Sequence, residues 1–147
     1  MKKEKKNREL TLHPGFPQGT EALPMAESRI SAGFPSPASE YMEAGIDLNR
    51  ELIRNPASTF FGRVKGYSMR DAGISEGDVL VIDKSLEPGN GSIAVCFVDG
   101  EFTVKRLRVE KDGVFLMPAN DEFKPIRITA ENDFMVWGIV TYVIKKM

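Results

Sequence analysis

Ser68 has the surroundings of a nucleophile held on a rigid turn. It lies in residues 66–69 (GYSM), between apolar runs at 60–64 and 79–82 that are typical of strands. Glycine, serine and aspartate at 73–78 mark a turn between these runs. A serine at a strand end can attack a carbonyl carbon while nearby backbone N–H groups stabilise the oxyanion. The same pattern also fits a serine that only satisfies local backbone groups.

Lys105 is the second residue that this chemistry could use. The Asp-Gly pair at 99–100 separates two apolar runs and predicts a tight hairpin, with Lys105 inside its second strand. Strand alternation puts Lys105 on the same face as Thr103 and Leu107. An ordinary solvated lysine would show the same local pattern.

Composition disfavours several other kinds of catalytic site. The only histidine, His13, lies in a stretch whose Pro and Gly residues predict irregular backbone, which removes the Ser-His-Asp option. The only cysteine, Cys96, lies in an apolar run and is predicted to be a core residue. One His and one Cys leave no plausible transition-metal cluster, and no cofactor is predicted. The base for Ser68 must therefore be a lysine or a carboxylate.

Length and charge predict one domain and a tail. The 147 residues carry 20 Lys and Arg against 21 Asp and Glu, so no overall field favours nucleic acid as a direct partner. We find no apolar stretch of the length of a signal peptide or of a membrane span, and a single thiol fits a reducing compartment. We therefore expect a cytoplasmic protein outside the membrane.

The chain divides at about residue 39. Residues 1–39 hold five of the nine prolines and lack periodicity, which predicts an extended N-terminal arm. Residues 47–54 predict a short helix, with Leu48 and Leu52 packed on the core or, alternatively, exposed to a partner. Residues 40–147 otherwise predict a compact, strongly bent, mainly β domain. The predicted strands are 60–65, 78–83, 91–98, 101–109, 113–117, 124–129 and 134–144.

Two further segments leave alternatives open. The last predicted strand is nearly all apolar, so either it is buried on both faces or one face pairs with another subunit. In the arm, small residues at 31–33 precede Phe34 and Pro35. This stretch is either a plain linker or a peptide bond open enough to enter an active site.

Residues 66–69, 73–78 and 98–105 (VDGEFTVK) together resemble the LexA/UmuD family of self-cleaving Ser-Lys peptidases. The resemblance extends over residues 34–146 and is strongest to the UmuD-type members. It implies a compact bent-sheet peptidase domain. It also implies that Ser68 is the nucleophile, that Lys105 is the general base, and that the chain cleaves its own bond between Ala32 and Gly33.

The resemblance leads to further expectations about the site. UmuD-type members have cysteine before the cleaved bond, whereas Ala32 is the residue that LexA-type members commonly use. Small side chains at Ala32 and Gly33 suit a tight groove. We expect the backbone N–H groups of Ser68 and Met69 to hold the oxyanion. A lysine at its ordinary pKa of ~10.4 is charged at neutral pH, so Lys105 must be enclosed by apolar side chains to act as a base.

The family also implies a biological role in the SOS response to DNA damage. Cleavage would be stimulated by a RecA filament on single-stranded DNA. Residues 33–147 would then form a homodimer that acts as the accessory subunit of an error-prone, UmuC-type Y-family translesion polymerase.

Three other roles are compatible with parts of the sequence. A LexA or phage-repressor transcription switch needs a DNA-binding domain, and the 32 residues before Gly33 are too few and too rich in Pro and Gly for one, so no sequence-specific DNA binding is expected. A signal-peptidase-like enzyme needs a membrane anchor. A non-catalytic dimeric interaction module would keep Ser68 and Lys105 only as relics.

Overall fold

The computed structural model describes residues 10–14, 23–26 and 42–147, with side chains described for Leu10 and from residue 45 onward. The mainly β fold predicted from the sequence is confirmed. The strands are β1 (Leu10–Pro14), β2 (Leu23–Ala26), β3 (Met42–Ile46), β4 (Thr59–Val64), β5 (Val79–Asp83), β6 (Ile93–Val98), β7 (Glu101–Glu110), β8 (Gly113–Met117), β9 (Ile126–Ile128) and β10 (Phe134–Ile144). The helices in this part of the chain are α1 (Leu48–Leu52) and two 3-10 turns, Pro56–Ser58 and Arg70–Ala72.

Eight of these strands form one antiparallel sheet in the order β1-β4-β5-β10-β6-β7-β8-β9, and β2 pairs with β3 in a separate two-stranded sheet. Consecutive strands from β6 to β9 are neighbours, so this half of the sheet is a meander. The apolar strand β10 lies in the middle, between β5 and β6. Its ends remain accessible, because Met135 and Ile144 are 52% and 44% exposed.

The central strand bends at two irregularities in its pairing. The register shifts between Val136 and Gly138 against β6, and between Val140 and Tyr142 against β5. Such bulges bend a strand and increase its twist, which curls the sheet. At Gly138 an added Cβ would lie 2.6 Å from Cγ2 of Ile82, so only glycine allows this close approach of β10 to β5.

Strands β6 and β7 bury side chains on both faces. Val95 and Val104 belong to one hydrophobic cluster, whereas Cys96 and Leu107 belong to another. These pairs alternate along their strands, as the period of two requires. The first cluster contains Leu10, Val64, Met69, Ile74, Leu80, Ile82, Val95 and Val104. The second contains Ala94, Cys96, Leu107, Leu116 and Ile139.

The predicted helix exists, but its expected packing is wrong in part. Asp47 caps its N-terminus by accepting a hydrogen bond of 3.0 Å from the backbone N–H of Asn49. Leu48 is 48% exposed, whereas Ile53, directly after the helix, is 6% exposed. The helix is too short to fix which face meets the core, so the residue that follows it makes the buried contact.

The irregular backbone predicted around His13 is also wrong. Residues Leu10–Pro14 form β1, with His13 opposite Phe61 and Pro14 opposite Phe60 in β4. Because β1 is an edge strand and Pro14 is its last residue, the missing N–H of proline does not interrupt the sheet. The predicted arm boundary at residue 39 and the Ala32–Gly33 bond lie outside the described residues.

None of the helices in the described ranges is long and apolar enough to cross a bilayer.

Candidate active site

Ser68 lies on a tight turn that follows β4. The turn, residues 65–69, is called the Ser68 loop below. Gly66 adopts a positive φ of 95°, which an L side chain rarely allows, so glycine makes this reversal possible. The 3-10 turn Arg70–Ala72 follows directly, and Ser68 is only 4% exposed. The sequence placed Ser68 at a strand end, and in the structure it lies on the turn four residues beyond the end of β4.

Lys105 lies in the middle of β7 and reaches Ser68. Its Nζ is 2.8 Å from Oγ of Ser68, 2.7 Å from Oγ1 of Thr103 and 3.1 Å from the carbonyl oxygen of Val104. The side chain is 5% exposed. The structure therefore brings together the two residues singled out from the sequence. Thr103 is a third member of the cluster, and alternation along the hairpin strand had already placed it on the same face.

Besides its polar contacts, Lys105 has apolar neighbours on its face of the sheet. Its neighbours across and along the sheet include Ala94, which pairs with it, and the buried Leu107. Cys96 lies on the same face. Burial raises the pKa of the Cys96 thiol to about 12, and a positive charge on Lys105 would act in the opposite direction. The cysteine is therefore an uncharged core group at neutral pH, as the sequence predicted.

The Ser68 loop is fixed by a distant turn that contains Ala119 and Asn120. The backbone N–H of Ala119 donates to the carbonyl of Ser68 at 2.8 Å. Nδ2 of Asn120 donates to the carbonyl of Tyr67 at 2.8 Å, and Asn120 is 4% exposed. The sequence marked residues 119–121 only as a turn, because nothing local shows that this turn contacts residues fifty positions earlier.

The side chain and the backbone of Met69 make different kinds of contact. The side chain is 3% exposed within the first hydrophobic cluster. The carbonyl accepts hydrogen bonds from the N–H groups of Ala72 and Ile74, at 3.1 and 3.2 Å. In the described part of the chain, no hydrogen bond uses the N–H of Met69. The assignment of this N–H as an oxyanion donor remains a prediction.

A cleft of about 760 Å³ opens in front of Ser68 and Thr103. Its apolar lining includes Phe102 and the partly exposed Phe123. At its mouth Tyr67 is 55% exposed and donates a hydrogen bond of 2.9 Å to Glu76. The hydrogen bond to Glu76 and the negative charge of Glu76 raise the pKa of the Tyr67 hydroxyl. A cleft of this size can hold an extended peptide segment beside the serine.

The sequence model of the Peptidase S24-like family matches residues 24–141, a range that includes both Ser68 and Lys105. The chain belongs to the Peptidase S24-like family. This membership confirms the recognition of LexA/UmuD-type peptidases from the sequence motifs, and it implies a serine peptidase that cleaves its own chain.

Several curated proteins are similar to this member of the family over most of its length. Protein MucA of Salmonella typhimurium is 44% identical over 122 residues, which cover 82% of this chain and 83% of MucA. Protein ImpA of Shigella flexneri is 42% identical over 135 residues, which cover 90% of this chain and 92% of ImpA. Protein SamA of Salmonella typhimurium is 42% identical over 123 residues, covering 84% and 85%.

Proposed function

We propose that this chain is an autoproteolytic serine peptidase of the SOS response, in which Ser68 and Lys105 cleave the bond between Ala32 and Gly33. The observation that carries the proposal is the 2.8 Å contact between Nζ of Lys105 and Oγ of Ser68, with both residues buried. A nucleophile and its base within hydrogen-bond reach are the geometric requirement for this chemistry.

In the first half of the reaction, Oγ of Ser68 attacks the carbonyl carbon of Ala32 and its proton moves to Nζ of Lys105. Lys105 must be neutral to accept this proton, and burial of an amine favours its neutral form. The negative charge on the carbonyl oxygen is held by the backbone N–H groups of Ser68 and Met69. The bond to the nitrogen of Gly33 then breaks, and the proton on Nζ passes to that nitrogen.

In the second half, the carbonyl of Ala32 is an ester of Ser68. A water molecule gives a proton to Nζ of Lys105 and attacks this ester. When the ester bond breaks, the proton returns to Oγ of Ser68. The products are a fragment that ends at Ala32, a fragment that starts at Gly33, and an unchanged Ser68 and Lys105.

Thr103 supports the base in this scheme. Its hydroxyl, 2.7 Å from Nζ, limits the positions that the flexible lysine side chain can adopt. Because Nζ also contacts the carbonyl of Val104 at 3.1 Å, it is held toward Ser68 from two sides. Such restraint keeps the reacting atoms within the short range that proton transfer requires.

The test is an incubation of the purified protein with RecA, an ATP analogue and single-stranded DNA, and separately at alkaline pH, with product masses as the readout. We expect a product that starts at Gly33 under both conditions. It should be lost in Ser68→Ala and Lys105→Ala and retained in the control variants Ser92→Ala and Lys111→Ala. An intact wild-type chain under both conditions would instead support a non-catalytic interaction module.

We further propose that residues 33–147 then act as a cytoplasmic homodimer and as the accessory subunit of a UmuC-type Y-family polymerase. The exposed apolar residues of β10, namely Met135, Val143 and Ile144, support an interface with another chain. Light scattering on residues 33–147 and co-purification with the polymerase test this proposal. A monomer that does not bind the polymerase would contradict it, and tight binding to a duplex operator would instead favour a repressor.

A further inference from the structure

The turn that contains Ala119 and Asn120 controls the direction of two backbone carbonyls in the Ser68 loop. Asn120 donates to the carbonyl of Tyr67, and the N–H of Ala119 donates to the carbonyl of Ser68, each at 2.8 Å. A third bond, of 2.7 Å from the N–H of Asp71 to the carbonyl of Ala119, fixes the turn in place. Two hydrogen bonds therefore join this turn to the Ser68 loop, and the third joins it to the 3-10 turn that follows the loop.

The directions of these carbonyls determine the directions of the proposed oxyanion donors. In a planar trans peptide the C=O and the following N–H point in opposite directions. The carbonyl of Tyr67 shares its peptide unit with the N–H of Ser68, and the carbonyl of Ser68 shares its unit with the N–H of Met69. Holding the two carbonyls on one side therefore aims both N–H groups to the other side.

The Asn120 amide is itself held in one orientation. Its Oδ1 accepts a hydrogen bond of 3.0 Å from the backbone N–H of Glu122, which leaves Nδ2 directed at the carbonyl of Tyr67. The side chain is 4% exposed, so solvent water competes little for this amide. A buried and fully oriented amide gives a rigid support, as a preorganised oxyanion site requires.

We propose that Asn120 is a positioning residue that aims the backbone N–H groups of Ser68 and Met69 at the oxyanion. The proposal rests on the peptidase function given above. Asn120 acts through the backbone of the Ser68 loop and not through Lys105. Its loss should therefore reduce stabilisation of the transition state without changing the protonation of Lys105.

The test is the pH dependence of self-cleavage in Asn120→Asp. This nearly isosteric change keeps the acceptor for the N–H of Glu122 but places a carboxylate oxygen against the carbonyl of Tyr67. Losing one oxyanion donor slows an enzyme by about 10²–10³-fold, so a misdirected pair should lower the plateau rate by about 10- to 100-fold. In Asn120→Ala, which adds no charge near Lys105, the midpoint of the pH profile should stay at the wild-type value.

Asn55→Asp is the matched control. Nδ2 of Asn55 donates a hydrogen bond of 2.8 Å to Asp83, in a part of the sheet away from the Ser68 loop. Each rate is divided by the folded fraction, measured by circular dichroism at the same temperature. We expect Asn55→Asp to lose stability while its rate per folded molecule stays at the wild-type value. Asn120→Ala, which adds no charge, gives the same comparison should the aspartate variant not fold.

The outcomes separate this inference from the function on which it rests. If wild type cleaves and the Asn120 variants have a wild-type rate per folded molecule, the positioning role is wrong and the peptidase function stands. A midpoint that moves with the rate in the uncharged variant Asn120→Ala would place the effect on Lys105 and also overturn the positioning role. If wild type does not cleave under any condition, the peptidase function itself fails, and this inference with it.

Discussion

Asp83 and Lys105 are equally buried, each 5% exposed, yet they differ in the groups that contact them. Asp83 accepts hydrogen bonds from the side chains of Asn55, Ser58 and Ser85, and also from the backbone N–H of Ser85. Burial raises the pKa of Asp83, but these hydrogen bonds together outweigh burial and leave the pKa lowered. The carboxylate therefore stays charged and ties the end of β5 to neighbouring turns.

The groups that contact Nζ of Lys105 can hydrogen-bond to a neutral amine as well as to a charged one. The hydroxyls of Ser68 and Thr103 and the carbonyl of Val104 are all uncharged. Cys96 on the same face is a protonated thiol at neutral pH. Burial thus has two uses: the donors around Asp83 preserve a charge for structure, whereas in the proposed mechanism the hydroxyl groups around Lys105 let a proton move between it and Ser68.

The largest expected effect comes from Lys105→Met, which keeps the length of the side chain and removes the amine. Self-cleavage should fall by at least about 10⁴-fold, because the proton of Ser68 loses its acceptor. The free energy of unfolding should stay within about 1 kcal/mol of wild type or rise, since an apolar chain replaces a buried polar group. Mass spectrometry and urea unfolding measure the two effects. A loss of several kcal/mol would show that Lys105, like Asp83, is a structural charge.

Asp83→Asn should instead lower the free energy of unfolding and leave self-cleavage unchanged. We expect a loss of about 2 kcal/mol in the free energy of unfolding, because hydroxyl donors lose a charged acceptor, with an unchanged cleavage rate per folded molecule. The lowered pKa of Asp83 stabilises wild type above the unfolded pKa of ~3.9, and this stabilisation is lost as the pH falls through the folded pKa. Stability of Asp83→Asn should therefore change less below pH ~4. If wild type and Asp83→Asn lose stability equally as the pH falls, the structural role of the Asp83 charge is refuted.

The smallest expected effect concerns Cys96 at alkaline pH. Its pKa is raised to about 12 in the folded state, against ~8.5 when unfolded, so its contribution to stability is complete below the unfolded value. That contribution should decrease as the pH rises from ~8.5 toward 12. Cys96→Ala should lose some packing energy at pH 7 but show a flatter alkaline decline in urea unfolding. Rapid alkylation of Cys96 in the native wild type would contradict its burial.

Much of the fold could be predicted because its signals are local. The Asp-Gly pair at 99–100 and alternation in the following strand placed Lys105 and Thr103 on one face, as the structure has them. The predicted strands from residue 60 onward agree with β4 to β10 to within two residues at every end, since turn residues separate them.

The remaining features depend on contacts between distant residues. Residues Leu10–Pro14 form a strand only because β4 offers an edge to pair with, and the exposure of Leu48 depends on what lies beneath a short helix. Asn120 reaches the carbonyl of Tyr67, 53 positions earlier in the chain, and no local pattern indicates that contact. Single-sequence patterns report propensity and periodicity, and these contacts arise only from the tertiary fold.

Titration of Lys105 alongside the pH dependence of self-cleavage tests the role of Lys105 as the base. Gly33→Phe should block entry of the scissile bond and keep Ser68 and Lys105 intact, so the Cε resonance of Lys105 can be followed by NMR in this variant. We predict that Lys105 loses its proton below its ordinary pKa of ~10.4, with a midpoint matching that of the cleavage rate in wild type. A Lys105 that remains fully charged where cleavage has reached its plateau would contradict the mechanism.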